Sequence, residues 1–313
     1  MLFYKSYPPS IPLDRLVARY MIITDDKKHE DWQQMDVAPN GLAALGFSFG
    51  ENFRYHTSPE DSHEISFSNV IGVHSCTYTA SWKYPINLFV IVFKPVGLFM
   101  LLREDMGALR NNLTSFNLIG LKESEAICEN LSELGSHEDR IILIEGWLKK
   151  KLSGNTLSPG ITEHIAQTII ERKGDVVITD LSTEFNINKK YIERHFNLEL
   201  GLSPKEFAGI IRFNYMNMLI RQQSISWKEL IYLGNFYDQS HLIKHFHRIT
   251  GLTPAAFKKK ADERPEAQFI KKHNIYELIA LEHRLRMTPE VPPTPGDPDI
   301  SVQTAQRASG LTY

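Results

Sequence analysis

Cysteine is scarce in this sequence, since Cys76 and Cys128 are its only two cysteines among 313 residues. Two thiols this far apart exclude a disulfide framework and a cysteine-rich metal cluster. They are typical of inert, partly buried thiols in a reducing compartment. No secretory signal pattern is found at the start of the chain. We therefore expect a cytoplasmic protein.

Long apolar runs are also lacking. The most apolar run, residues 88–102, is fifteen residues long and is interrupted by Lys94, Pro95 and Gly97. A membrane-spanning helix needs about 20 apolar residues in succession. We therefore expect no membrane segment.

Net charge of either sign is low, at −2 for the whole chain. Counted by region, residues 1–159 carry a net charge of −4, whereas residues 160–264 carry +3 and five histidines. The positive charge therefore lies in the second half of the chain. The asymmetry is mild and by itself neither favours nor excludes a nucleic-acid partner.

Motifs of common enzymes are absent, since the sequence has no nucleophile elbow, phosphate-binding loop or paired-carboxylate motif. His56, His63 and His74 lie on or near strands predicted below, with Glu51, Glu60 and Glu64 nearby. No close His-x-His pair places two imidazoles on one strand face, so surface histidines are favoured over metal ligands. We predict no catalytic residue, no cofactor and no metal site.

A repeat of fifty residues is the strongest feature that is present. Residues 191–207, shifted by fifty positions, fall on residues 241–257, and six of the seventeen pairs are identical. Such a repeat predicts one supersecondary unit used twice. The identical pairs are His195/His245, Phe196/Phe246, Gly201/Gly251, Leu202/Leu252, Pro204/Pro254 and Phe207/Phe257.

The first half of the chain has the pattern of a β-rich domain. Residues 10–23 predict a short helix, because Leu13, Leu16, Val17 and Tyr20 recur at helical spacing. Further on, β-branched and aromatic runs separated by turn residues predict antiparallel strands in a sandwich or small barrel. These runs are Leu42–Phe49, Glu64–Val73, Cys76–Trp82 and Asn87–Phe93.

Helical patterns follow the predicted strands. Residues 95–102 predict a brief helix, and residues 122–134 and 138–152 predict two longer ones. The last has an apolar stripe, and two partners for it stay open: the barrel, or a second copy of the chain. The polar segment 153–160 predicts a domain boundary. The stripe consists of Ile141, Ile142, Ile144, Leu148 and Leu152.

The first copy of the repeat predicts two short helices joined by a tight turn. A helix over residues 178–184 is followed by Asn186, which tolerates a positive φ, and by Asn188, which caps a helix over residues 189–198. Pro204 then begins a linking helix that extends to about residue 221 and has an apolar stripe.

The second copy repeats this arrangement. A helix over residues 227–233 is followed by a turn at residues 234–235, and Asp238 caps a helix over residues 239–248. Two short helices joined by a tight turn make a helix-turn-helix, whose second helix can enter the major groove of DNA.

Helical spacing divides each second helix into an inner and an outer face. Arg and Lys can bond to guanine, Gln to adenine and Glu to cytosine, and an exposed Ile can pack on a thymine methyl group. The predicted inner residues are Ile192 and Phe196, with Tyr191 or His195, and then Leu242, Phe246 and Ile249. The predicted outer residues are Lys189, Lys190, Glu193, Arg194 and Asn197, and then Gln239, Ser240, Ile243, Lys244 and His247.

One family pattern is present in the second copy: Phe236, Asp238-Gln239-Ser240-His241, Phe246, Thr250-Gly251, Thr253-Pro254 and Phe257. With it, residues 175–260 resemble the C-terminal DNA-binding domain of the AraC/XylS family of transcription regulators. Arg212 in the linking helix also matches. The resemblance implies base-reading positions at Lys190, Glu193, Arg194, Gln239, Ser240, Ile243 and Lys244. The sequence departs from the family at Ser182, Asn186, Met216, Ile231 and Asn235.

The N-terminal part is similar to cupin-like sensory domains found in some family members. An early helix, Pro39-Asn40-Gly41, Gly72 and Phe93-Lys94-Pro95 carry this resemblance. It identifies no ligand-binding residue.

These patterns predict an α+β protein that has an antiparallel, cupin-like barrel or sandwich followed by two helix-turn-helix units. The predicted domains are a sensory domain (1–120), a helical pair (121–157), a DNA-binding domain (158–264), and a charged helix with a disordered tail (265–313). We expect a sequence-specific transcription regulator, an activator, whose partner is double-stranded DNA. RNA polymerase, a small-molecule effector and a homodimer are left open as further partners. The alternative is a metal-dependent cupin-type enzyme or ligand-binding module with an accessory DNA-binding domain.

Overall fold

The computed structural model describes residues 2–58, 61–65, 68–119, 123–153, 160–220, 225–263 and 275. Within these ranges, the strands of the N-terminal part (residues 2–153) form two antiparallel sheets. The strands are β1 (Phe3–Tyr7), β2 (Val17–Asp25), β3 (Gln33–Val37), β4 (Ala44–Ser48), β5 (Phe53–Ser58), β6 (Asp61–Ile65), β7 (Asn69–Ile71), β8 (Tyr78–Trp82), β9 (Ile86–Phe93) and β10 (Leu113–Ser115).

The two sheets confirm the predicted antiparallel β architecture. The larger sheet has the order β1-β2-β9-β4-β7-β10, and the smaller one has the order β3-β8-β5-β6. Aromatic rings from the larger sheet and the segment after it fill the core. Phe47 meets Phe116 edge-on at 5.4 Å between ring centroids and lies 6.3 Å from Phe89. Burying such rings is a major source of folding free energy.

Strand β2 shows that the helix predicted over residues 10–23 was wrong. This strand pairs with both β1 and β9, and Tyr20 lies opposite Ile91. Most of its residues are buried, because other strands and helices cover both of its faces. A strand buried on both faces shows no clear alternation of apolar and polar residues, so its spacing can imitate a helix. The helical part of this segment is a single turn at Leu13–Arg15.

Other strand assignments also differ from the prediction. Strands β1, β3, β5 and β10 lie outside the predicted runs. The run predicted as one strand over residues 64–73 is divided between β6 in the smaller sheet and β7 in the larger one.

Three helices complete the N-terminal part: α1 (Gly97–Leu102), α2 (Ser124–Glu133) and α3 (His137–Leu152). Helix α3 packs against α1, α2 and the turn before β2. Ile144, Leu148 and Leu152 are buried there, which confirms the intramolecular option for this part of the stripe. Ile142 is 69% exposed, so the predicted continuous stripe was wrong at that residue. Its packing against a second copy stays a prediction.

The C-terminal part (residues 160–263) is helical throughout its described elements. The predicted helix-turn-helix elements are all confirmed, and the bounds of α5 and α8 match the prediction. The helices are α4 (Ile161–Glu171), α5 (Ile178–Glu184), α6 (Lys189–Leu200), α7 (Pro204–Ile220), α8 (Trp227–Leu233), α9 (Gln239–Thr250) and α10 (Pro254–Glu263).

The linking helix α7 is buried on most of its circumference. A single apolar stripe was predicted, but Phe213, Asn214, Met216 and Asn217 are buried as well. This helix therefore forms the centre of the C-terminal part rather than one of its outer layers.

Some predictions fall outside the described residues. These are most of the boundary segment, at residues 154–159, and nearly all of the charged helix and tail after residue 263. Among the helices that are described, none has the length and apolarity needed to cross a membrane.

Candidate nucleic-acid interface

The first recognition helix, α6, is positioned by its turn and by its cap. Asn186 has a φ of 52°, the left-handed conformation that the tight turn requires. The Oδ1 atom of Asn188 accepts a hydrogen bond from the backbone N–H of Lys190 at 2.8 Å. Ile192 and Phe196 are buried, as predicted. The outer face of α6 is thereby turned towards solvent.

The outer face of α6 has a mixed charge. Lys189, Lys190, Glu193 and Arg194 are all exposed. Lys189 Nζ lies 3.7 Å from Glu193 Oε1, so the acidic side chain has a local counter-charge. The Arg194 guanidinium lies over the ring of Tyr191, 5.6 Å from its centroid. This contact holds Arg194 near the helix surface with its donors accessible.

Tyr191 and His195 form a pair on the flank of α6. Their rings stack with centroids 4.0 Å apart, and His195 Nδ1 lies 2.8 Å from Glu199 Oε1. Of the two residues proposed to point inward, His195 is half-buried and Tyr191 is exposed.

The second recognition helix, α9, has an equivalent frame. Asn235 has a φ of 49°, and Asp238 Oδ1 accepts from the backbone N–H of His241 at 2.7 Å. Leu242, Phe246 and Ile249 are buried, which confirms the predicted inner face.

The outer face of α9 differs in chemistry from that of α6. Gln239, Ser240 and Lys244 are exposed, whereas Ile243, which was predicted on the same outer face, is half-buried. Ile243 lies on the flank of the helix, about 100° from its neighbour Lys244 around the helix axis. Its side chain is therefore partly shielded by the C-terminal part.

Helix α7 ties the two recognition helices together. Phe207 meets Phe196 of α6 at 6.1 Å between ring centroids, and Phe213 meets Phe246 of α9 at 5.2 Å. At a rise of about 1.5 Å per residue, α7 is about 26 Å long. Consecutive major-groove segments on one side of a duplex are about 34 Å apart. The two helices can therefore face successive segments if the DNA bends or the helices tilt.

Arg212 has structural contacts within the C-terminal part. Its Nη2 atom donates to the carbonyl of Gly174 and to Asp175 Oδ1, both at 3.0 Å. Asp175 also accepts from Asn235 Nδ2 at 3.0 Å. Arg212 therefore joins α7 to the segment before α5, and through Asp175 to the turn before α9. Its contact with DNA stays a prediction.

The N-terminal part contacts the final turn of both recognition helices. The backbone N–H of Met106 donates to the carbonyl of Leu198, and that of Thr77 donates to the carbonyl of Ile249, each at 2.9 Å. Sequence patterns do not predict these bonds, because backbone groups of any residue type can form them.

Further contacts join α7 to the N-terminal part. Asn214 Nδ2 donates to the carbonyl of Pro39 at 2.9 Å. Arg110 and Glu206 form a bidentate pair at 2.7 and 3.3 Å. The ring of Phe207 packs against Gly41, where an added Cβ would lie 3.0 Å from the ring. The predicted Pro39-Asn40-Gly41 turn thus lies at the contact with α7.

His74 corrects the expectation that the N-terminal histidines are at the surface. It is buried, its Nδ1 lies 2.8 Å from the Gly72 carbonyl, and its Nε2 lies 2.8 Å from the Tyr55 hydroxyl. Burial lowers the pKa of His74 to about 4, and the bond to the Gly72 carbonyl offsets this only in part. Tyr55, nineteen residues away in sequence, supplies the partner that local patterns did not reveal.

Metal ligation is the alternative role for the N-terminal histidines and carboxylates. Over the described part of the chain, no group of three or more His, Cys, Asp or Glu side chains has the geometry to hold a metal ion. Cys76 and Cys128 are both half-buried free thiols, as predicted.

Comparison with protein families agrees with this geometry. A family model described as a helix-turn-helix domain matches residues 181–260, which include both recognition helices. Residues 181–260 therefore form a helix-turn-helix domain of the AraC type. A second model, described as a domain of unknown function (DUF6597), matches residues 5–115 and covers the β-rich region before the AraC-type domain.

One curated relative supports the same assignment. The HTH-type transcriptional regulator MtrA of Neisseria gonorrhoeae is 24% identical over 123 residues, which cover 39% of this chain and 38% of that protein. The match thus spans well under half the length of either protein.

Solved structures of AraC-like regulators are more distant. ToxT from Vibrio cholerae O395 is 15% identical, with 77% of this chain and 97% of ToxT covered and a TM-score of 0.43. The AraC-like transcriptional activator CuxR is 13% identical, with 71% and 87% covered and a TM-score of 0.27. The assignment of the AraC-type domain does not depend on these scores.

Proposed function

We propose that this protein is a transcription regulator that reads duplex DNA with α6 and α9 in successive major-groove segments. The observation that carries the proposal is the pair of exposed helix faces held by one buried helix, α7. Each of these helices begins with a capped, solvent-facing end. This arrangement fits a helix-turn-helix that inserts the start of its second helix into the groove.

The exposed side chains support sequence-specific reading rather than phosphate binding alone. On α6, Lys190 and Arg194 can donate to guanine, and Glu193 can accept from cytosine. On α9, Gln239 can make a bidentate contact with adenine, and Lys244 can donate to guanine. Because the two faces differ, the recognised site is asymmetric and requires no palindrome.

Regulation through the N-terminal part is the second element of the proposal. Its bonds to the ends of α6 and α9 offer a route by which a change in the β-rich region alters the orientation of both helices. A cavity of about 870 Å³ between the sheets and α2 is a candidate effector site. Its described lining includes His63, Phe116, Glu125, Cys128 and Glu129.

Selection of DNA from a random-sequence pool by the intact protein tests this function. The expected product is an asymmetric consensus with two conserved blocks about one helical turn, or 10 base pairs, apart. A pool that shows no enrichment after several rounds would contradict the proposal.

A metal-dependent enzyme remains the competing function for the β-rich region. It predicts stoichiometric iron, manganese or zinc in elemental analysis of the purified protein, and the regulator predicts none.

Contacts with RNA polymerase and a homodimer are further parts of the proposal. Sedimentation of the protein with and without a selected duplex would establish its stoichiometry.

A further inference from the structure

A cleft of about 520 Å³ lies beside the contact between α7 and α9 in the C-terminal part. We call it the basic cleft. It lies beside the recognition face of α9 and also touches the residues that begin α5. The side chains or backbone that define it are Lys205, Gly209 and Arg212 on α7, with Lys244, His245 and Arg248 on α9.

Positive charge in the basic cleft exceeds what the surrounding residues neutralise. Arg212 pairs with Asp175. For Lys205, Lys244 and Arg248, no carboxylate of the described residues lies within ion-pair distance. Three cations that share a concave surface without counter-charges create a strong local attraction for an anion.

The pKa of His245 is affected by this positive potential, and its ring orients the Arg248 side chain. The pKa of His245 falls to about 3, first because the ring is buried and then because the Arg248 and Arg212 guanidinium groups are close. The neutral ring can accept from Arg248 Nη2 at Nδ1, over a distance of 3.2 Å. Gly209 leaves room for this side chain, since an added Cβ would lie 3.1 Å from Arg248 Nη2. Arg248 is therefore held in the basic cleft by its neighbours.

The position of the basic cleft indicates which anion it binds. Lys244 belongs both to the cleft and to the outer face of α9. The opposite wall contains Val177 and Ile178, at the start of the first helix-turn-helix unit. The cleft therefore lies between the first helix of one unit and the recognition helix of the other. Duplex DNA carries one negative charge per about 1.7 Å of its axis.

We propose that the basic cleft binds a phosphodiester of the DNA backbone between the two major-groove segments, with Lys205 and Arg248 as its principal donors. The proposal rests on the DNA-binding function proposed above. The contact is independent of base sequence. It adds to affinity and fixes the register of the protein on the duplex, but it does not select bases.

The test measures how DNA affinity depends on salt for Lys205→Gln, Arg248→Gln and the parent protein. Two probes are used: a duplex from the selected pool and a scrambled duplex of the same length. Each variant is expected to bind both probes about three- to tenfold more weakly, and to lower the slope of log K against log salt by about 0.9. Lys27→Gln, which removes an exposed lysine of the N-terminal part, is the matched control and should keep the parent slope.

An unchanged slope for both variants would overturn the proposal, whatever their affinity. Lys205 is exposed and has no described ion-pair partner, so its variant separates loss of a contact from loss of folding. Calorimetry with inorganic pyrophosphate distinguishes a free anion as the occupant. Micromolar binding of pyrophosphate that does not compete with the scrambled duplex would also overturn the proposal. Equal affinity of the parent protein for both probes would instead contradict sequence-specific reading. The difference in salt slope between the parent and the variants would still decide whether the phosphate contact exists.

Discussion

The backbone N–H of Met106 donates to the carbonyl oxygen of Leu198, with 2.9 Å between the nitrogen and the oxygen. This bond attaches the N-terminal part to the last turn of α6. Thr77 makes the same kind of bond to Ile249 near the end of α9. Both recognition helices are thus held at their C-terminal ends, while the opposite ends face solvent. A displacement of the loops around Met106 and Thr77 would therefore move both recognition helices.

Two glycines at equivalent positions of the repeat give a matched test of this contact. Gly201 and Gly251 end α6 and α9 with φ values of 80° and 69°. An added Cβ on Gly201 would lie 2.6 Å from the Met106 carbonyl oxygen, whereas Gly251 has nothing within 4 Å among the described residues. Gly251→Ala is expected to cost about 1–2 kcal/mol of unfolding free energy, from its left-handed backbone alone.

Gly201→Ala is expected to cost about 1–3 kcal/mol more than that, because the new methyl group forces the N-terminal part away from α6. Urea unfolding of the two variants and the parent measures the difference. Equal losses of stability would show that the N-terminal part does not press against the end of α6.

The two asparagines in the helix-turn-helix turns give a second matched pair. Asn186 and Asn235 both have a positive φ, which glycine adopts at lower cost. Asn235 additionally donates to both carboxylate oxygens of Asp175 at 3.0 Å. Asn186→Gly should leave the stability unchanged to within about 0.5 kcal/mol, and Asn235→Gly should lower it by about 1 kcal/mol more because that bond is lost. Thermal unfolding of both variants checks the order, and the reverse order would refute the role given to Asp175.

Burial of His74 predicts an acid-sensitive step in stability. Its pKa falls from an ordinary value of 6.5 to about 4 on folding. Between these values the unfolded chain binds a proton that the folded protein excludes. The free energy of unfolding therefore decreases as the pH falls, by about 1.4 kcal/mol per pH unit for this residue. Above pH 6.5 the His74 ring is neutral in both the folded and the unfolded state, so its contribution to stability no longer changes with pH.

His74→Gln removes the imidazole that binds this proton in the unfolded chain. Urea titrations at several pH values between neutral pH and the folded-state pKa measure the free energy of unfolding. Its slope against pH should be smaller in the variant by the contribution of one proton, about 1.4 kcal/mol per pH unit. His245, whose pKa is also lowered, contributes in the same direction in both proteins and so cancels from the comparison. Identical slopes in parent and variant would mean that His74 is protonated in the folded state.

The sequence predicted the C-terminal part well because its signals are local. Asn188 and Asp238 cap helices that begin at the next residue, and Asn186 and Asn235 occupy the turns. Each of these roles depends on a few neighbouring residues. The fifty-residue repeat checked α6 against α9, and the bounds of α5 and α8 were obtained from their own local patterns.

The N-terminal part was predicted less well because its structure depends on distant partners. The run Val17–Asp25 became a strand only because β1 and β9 cover its edges. His74 is buried by Tyr55 and by the loop that contains Asn111. The exposure of Ile243 was overestimated for a related reason, since helical spacing gives the direction of a side chain and not what packs beside it. None of these partners is close in sequence.

The central claim is that α6 and α9 read different bases in one asymmetric site. Its most direct test repeats the DNA selection with Arg194→Ala and with Gln239→Ala, beside Arg103→Ala as a control in the N-terminal part. Arg194→Ala is expected to lose selection in one block of the consensus only, at a cost of about 1–3 kcal/mol for the parent site. Gln239→Ala should lose selection only in the other block, and the control should reproduce the parent consensus. If both variants recover the parent consensus with unchanged affinity, the two helices do not read DNA and the account is wrong.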